Sequence, residues 1–355
     1  MAKGVSGYAS INARVRVMYA TLLSEEVIEH LCEAESLPAL LEVLKTSAYG
    51  PYLEKVKDRD LNARRVAFQI RGRLAEAYTT ITHTAPEHTR DLLAQRYRYF
   101  EVDNLKAVLR GIVAGADWDR VRYVLFPFGS ASVLPAQEML EAGSVPAAIE
   151  LLRGTSYYET LSQAMKRYSV EQNIFPLEVA LDLSYWRDLW ARTRQLPGED
   201  RTKAMRIIGT LVDMNNIMWA IRYRIYHELS EEELINYTLP FGYHVRDTDI
   251  RGIAAGADIA AVVKRVYPDL HDVDTLLEEP RKGLPLLELE LQRRLAETCR
   301  AAFLGDPFHI GVPLGYLALS ELEIQDLVVL IEAKATQAPV DVYRPYLLNV
   351  SACKV

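Results

Sequence analysis

The side chains that could do chemistry are scattered along the chain. His83 and His88 are the closest pair among seven histidines. Two histidines four apart share a helix face and could hold zinc, whereas five apart misses that face. Each therefore reads as a solvated or hydrogen-bonded ring. The run SEEEL (230–234) gathers three carboxylates that acid–base chemistry could use. Its Ser230…Glu233 spacing matches a capping box, and acid suits a first helical turn. PDLHDVDTLLEEP (268–280) is acidic enough to raise the question of a calcium loop. It lacks the Asp-x-Asp-x-Asp-Gly order and reads as a solvated linker. There is no Gly-Lys dipeptide for a phosphate loop, and no GxGxxG, HExxH or GxSxG. No catalytic residue, cofactor or metal ligand is expected.

Two stretches interleave arginine with aromatics, RYRYF (96–100) and RYRIY (222–226). Such a pattern can stack single-stranded RNA. The alternative is a helix with Tyr and Ile toward a core and Arg toward water. The net charge of −7 favours the second reading and argues against nucleic acid and anionic lipid as partners. Arginine outnumbers lysine 30 to 11, which suits polar protein interfaces. Cys32, Cys299 and Cys353 are far apart, with no CxxC, and read as reduced, idle thiols. The opening MAKGVSGYAS has no apolar core, and no apolar run approaches the roughly 18 residues of a membrane span. The sequons at Asn236 and Asn349 carry no weight without a secretion signal. Half the residues are hydrophobic and a quarter are charged, the balance of a globular chain with substantial cores.

The elements that must position these residues repeat. SLPALLEVLKTSAY (36–49) lies over SVPAAIELLRGTSY (144–157) without a gap, matching Ser36/Ser144, Pro38/Pro146, Ala39/Ala147, Glu42/Glu150, Leu44/Leu152 and Tyr49/Tyr157. DIAAVVKRV (258–266) is a third copy with Asp258 in place of serine. Ser or Asp caps a helix by accepting a backbone N–H, and proline in the first turn removes a donor that has no partner there. A second unit is EVDNLKAVLRG (101–111), followed by DMNNIMWAIRY (213–223) and, more faintly, EIQDLVVLIEA (323–333). Its apolar residues form one helical stripe in each copy, and Asn104, Asn216 and Asp326 mark a common register. LFPFG (125–129) and TLPFG (238–242) follow the first two at nearly equal distances. Further helices are expected over 61–81, 175–196 and 286–303. Pro86, Pro197 and Pro313 each precede the next Asn helix. The apolar run 121–128 is the best strand candidate in an otherwise helical pattern. The periodicity predicts an all-α protein of three similar helical repeats of about 110 residues: 1–95, 96–207 and 208–355 with a C-terminal tail.

The opening YASINARVRVM (8–18), the DNLKAVLR helix (103–110) and the threefold repetition together resemble the C subunit of the archaeal and bacterial V-type (A-type) rotary ATPases, which is the d subunit in eukaryotes. The resemblance covers about Tyr8 to Tyr346. It implies a funnel of three similar domains with pseudo-threefold symmetry. It also implies a non-catalytic rotor component joining the D and F subunits of the central stalk to the proteolipid rotor ring. Such a component lies at the cytoplasmic face of the membrane, peripheral and without direct lipid insertion. Arg14, Arg16, Arg110 and Arg222 recur on the polar side of the repeated helices and are the candidate interface residues. Exposed or internally ion-paired arginines are the other reading of each. Glu332 stands where the first two copies have Arg110 and Arg222. The rival functions are an all-α interaction scaffold outside any ATPase, whose known repeats are shorter, and an all-α enzyme, for which no convergent carboxylates or metal pair are visible.

Overall fold

The computed structural model describes residues 2–54, 56, 62–227 and 229–349. Its helices are α1 (Ala2–Tyr19), α2 (Glu25–Glu33), α3 (Leu37–Lys45), α4 (Gly50–Leu53), α5 (Ala63–Thr84), α6 (Glu87–Val113), α7 (Trp118–Val121), α8 (Ala136–Glu141), α9 (Val145–Glu150), α10 (Ser156–Glu171), α11 (Phe175–Gln195), α12 (Gly198–Tyr226), α13 (Glu231–Asn236), α14 (Asp247–Ala254), α15 (Ile259–Val266), α16 (Val273–Glu278), α17 (Pro280–Ala301), α18 (Gly311–Thr336) and α19 (Val340–Tyr343). The protein is all-α, with no strand among the described residues. The strand candidate at 121–128 is the end of α7 followed by turn and irregular backbone.

The caps sit where the repeats place them. Ser36 Oγ accepts from Ala39 N and Ser144 Oγ from Ala147 N, both at 3.4 Å, and Asp258 Oδ1 accepts from Ala260 N at 3.1 Å. Ser230 and Glu233 form the reciprocal capping box. Pro86 and Pro197 immediately precede α6 and α12. Pro313 differs, because α18 begins at Gly311 and the proline occupies its first turn, where no amide donor is needed. α17 begins at Pro280, earlier than expected, and runs through Pro285. The stretch 268–280 is not a plain linker: it contains α16, whose Val273 is buried. The acid at its surface hid the apolar positions Val273, Leu276 and Leu277, which reach the core.

Six helices of 21 to 29 residues set the frame. α5 packs on α6, α6 on α11, α11 on α12, α12 on α17, α17 on α18, and α18 back on α5, so the long helices close a ring of contacts. α12 also touches α18. The first turns of α18 are buried on every side, as for a helix surrounded by others. One hydrophobic cluster runs from Tyr8 to Leu348.

One hydrogen-bond pattern recurs on α6, α12 and α18. Asn104 Nδ2 donates to Phe126 O at 2.9 Å and its Oδ1 accepts from Phe126 N at 2.6 Å. Asn216 Nδ2 donates to Leu239 O at 3.0 Å and its Oδ1 accepts from Leu239 N at 2.9 Å. Asp326 accepts from Leu348 N at 2.7 Å and Asn349 N at 3.1 Å. Three residues earlier each helix carries an acid that receives the backbone entering a shorter helix. Glu101 accepts from Val133 N at 2.7 Å, just before α8. Asp213 accepts from Tyr243 N, His244 N and Val245 N at 2.8, 2.6 and 3.1 Å, before α14. Glu323 accepts from Leu23 N at 2.5 Å, before α2. Tyr157 donates to Glu101 at 2.8 Å and Tyr49 to Glu323 at 2.6 Å, so the tyrosines matched in sequence do the same job. The partners of Glu323 lie at the opposite end of the chain from α18.

Candidate interaction surface

α5, α6 and α18 surround a cavity of about 580 Å3. Leu74, Phe100, Phe126, Ile324, Val328 and Val329 supply its apolar lining, and Arg71, Asp103, Arg110 and Glu321 its charged lining. α6 reaches α18 through a buried ion pair, Arg96 to Glu321. The Tyr78 hydroxyl donates to the other Glu321 oxygen, and the Tyr99 ring centroid lies 5.2 Å from the Arg96 guanidinium. Burial pushes the Glu321 carboxyl above its usual range, opposed by Arg96 and Tyr78. Arg96 therefore corrects the expectation that the arginines of RYRYF face water. It is only 4% exposed, because a carboxylate far along the chain receives it. Arg98 does face solvent.

The four candidate arginines sit on three helices. Arg110 pairs with Glu178 on α11 at 2.6 Å, beside the Lys106–Asp182 pair at 2.8 Å. Arg222 pairs with Glu288 on α17 at 2.7 Å. These two residues therefore tie long helices of their own chain together. Glu332 lines a second cavity together with Arg64 and Arg65 of α5. Arg16 donates to Phe303 O at 3.0 Å and lies 5.9 Å from that ring's centroid. Arg14 is exposed, with no hydrogen bond or ion pair to the described residues.

His83 and His88 are not brought together. His83 Nδ1 meets Thr79 O at 2.7 Å within α5. His88 Nε2 meets Asp200 Oδ2 at 2.6 Å, while Asp200 Oδ1 accepts from Tyr8 at 2.7 Å and Ile310 N at 2.8 Å. That cluster joins α1, α6, α12 and the entry to α18. Cys32 and Cys299 are free and buried, and burial pushes the Cys299 thiol up to about 12, where it is unreactive. Cys353 lies outside the described residues. The acids Glu101, Asp213 and Glu323 are not evident from the sequence motifs alone, although each stands in one of the repeats. The signal that marks them is an acid three residues before every register-marking Asn or Asp.

The model for the ATP synthase (C/AC39) subunit family matches residues 11–346. The chain belongs to that family. It is thus a rotary-ATPase component of the C/d type, as the opening motif and repeats imply. It is similar to the C subunit of the A-type ATP synthase of Methanocaldococcus jannaschii, at 25% identity over 97% of this chain and 86% of that protein. The corresponding protein of Methanothermobacter thermautotrophicus is 26% identical over 92% of this chain and 84% of its own length. That of Methanococcoides burtonii is 22% identical over 97% and 94%. The family match spans α18 as well as the second half of α1. No described helix of this family member is long and apolar enough to cross a membrane.

Proposed function

We propose that this C-type protein is the non-catalytic coupler of a V-type (A-type) ATPase/synthase rotor, joining the D and F subunits of the central stalk to the proteolipid ring for ATP-coupled ion transport. It would sit at the cytoplasmic face of the membrane, held there through the complex. The observation that carries the reading is family membership over nearly the whole chain, together with long helices that close on themselves. A coupler must transmit torque without deforming, and close-packed interiors have low compressibility.

We further assign the body to three copies of one unit arranged about an axis. Two are contiguous, 87–195 and 198–301. The third is split: its long helix α18 and the segment after it lie at 311–349 and its remainder at 25–84. This differs from the consecutive division 1–95, 96–207 and 208–355. It is supported by the acid-and-amide pattern and by the matching Tyr49 and Tyr157 bonds. The funnel shape belongs to the same proposal.

Arg14 and Arg16 are the partner-facing arginines in this reading, while Arg110 and Arg222 serve the protein's own frame. Electron microscopy of the tagged native complex tests the whole: density for this chain between stalk and ring is expected, and a place outside the central rotor overturns it. A chain that purifies without stalk or ring components is the interaction scaffold instead. Arg14→Glu should lower coupled proton transport in membrane vesicles while the isolated protein unfolds at an unchanged temperature. Full transport with Arg14→Glu and Arg16→Glu together removes the interface assignment.

A further inference from the structure

A separate cleft lies between α10 and α11 where the end of α13 meets them, with a volume of about 460 Å3. One side is apolar: Ala164, Val179, Ala180 and Leu183. The lining also includes two side chains whose donors have no partner among the described residues. Tyr237 is 8% exposed, and its hydroxyl is buried with no hydrogen-bond partner. A buried hydroxyl left unpaired is costly, and such groups are rare enough to need a reason. Arg187 lines the same cleft, is exposed, and has no ion pair or hydrogen bond to the described residues. Its neighbour Arg167 is fully engaged, at 2.9 Å from both Glu171 and Glu233 and with its guanidinium 4.9 Å from the Tyr237 ring centroid.

At two other junctions of this kind the arginine is hydrogen-bonded. Arg71 of α5 donates to Val124 O at 3.1 Å, and Arg293 of α17 donates to Leu347 O at 3.5 Å. In each case an arginine of one long helix reaches the backbone beyond the next long helix and ties it down. On α11 the arginine at the cleft makes no hydrogen bond or ion pair to the described residues. Its site has stayed open, and the tyrosine hydroxyl beside it has stayed unpaired.

We infer that this cleft binds a carboxylate carried on a short apolar chain. The guanidinium fork matches a carboxylate's two oxygens, and a tyrosine O–H can donate to one of them. The apolar wall takes the chain. A monoanion is the right charge, because Arg187 is the one lining cation with no ion pair to the described residues, whereas Asp188 also lines the cleft, itself 3.7 Å from Arg192. A doubly charged phosphate would meet that carboxylate and the nearby Glu233. The carboxylate could be that of a free short-chain acid or the C-terminus of a peptide.

The test is calorimetric titration of the full chain with hexanoate, with acetyl-leucyl-leucine as free acid and as amide, and with inorganic phosphate. Binding of hexanoate assigns the cleft to free acids, and binding of the peptide acid alone assigns it to a chain terminus. In either case the amide should not bind. Arg187→Ala should weaken binding about tenfold or more, the effect of removing a charge-assisted hydrogen bond. Tyr237→Phe should weaken it severalfold without changing the ring's packing. Arg187 makes no hydrogen bond or ion pair to the described residues, so its variant should fold normally, and circular dichroism checks this. Failure of both acids to bind, equal binding to Arg187→Ala, or phosphate binding as tightly as the acids overturns the proposal.

Discussion

At the scale of single residues, the amides and acids of the long helices do the positioning. Asn104 is buried and bonds both the N–H and the C=O of Phe126. Asn104→Ala leaves two buried backbone groups unpaired and should cost about 2–5 kcal/mol in chemical denaturation. A loss below about 0.5 kcal/mol would show that water replaces the amide. Asp326 does the same job as an acid, and burial pushes its pKa up to about 6 against the two backbone donors. The folded state therefore holds this proton more tightly than the unfolded chain. Its contribution is fully present below the unfolded value near 4 and is lost as pH rises through about 6. The stability of the parent relative to Asp326→Asn should fall by up to about 3 kcal/mol between pH 4 and 7. A pH-independent difference would mean that the folded carboxyl titrates as the unfolded one does. The register of these residues is legible in the sequence because it repeats. Their chemistry is not, since a segment 22 residues downstream cannot be seen from a helical stripe.

Elements tell a similar story. Caps and first-turn prolines are local, so Ser36, Ser144 and Asp258 can be read directly. Arg96 cannot, because its burial depends on Glu321, which no local periodicity anticipates. Removing either partner strands a buried charge. Arg96→Met should cost about 3–5 kcal/mol, and adding Glu321→Leu should recover much of that. A double-mutant cycle on thermal or urea unfolding measures this. Simple additivity of the two losses would show that the pair does not act as a unit. α16 is obscured in the same way: surface acid masks the apolar positions that decide its fate.

For the whole molecule, the long helices follow one another around the ring of contacts in chain order, and the last closes on the first. The helical class and the threefold spelling are readable. The pairing of α18 with α2–α5 is not, because the last long helix finds its complement in the first hundred residues. Hydrogen exchange in mild denaturant can test the consequence. α5 and α18 should lose protection together, as one cooperative unit. Release of α18 together with α12 while α5 stays protected would place the last helix with its sequence neighbours instead. Mechanics adds something to this picture. A tube slit along its length twists easily, while a seamless tube of the same wall resists. By laying its final long helix against its first, this chain gives the ring of contacts among its six long helices no open end at which an applied twist can begin.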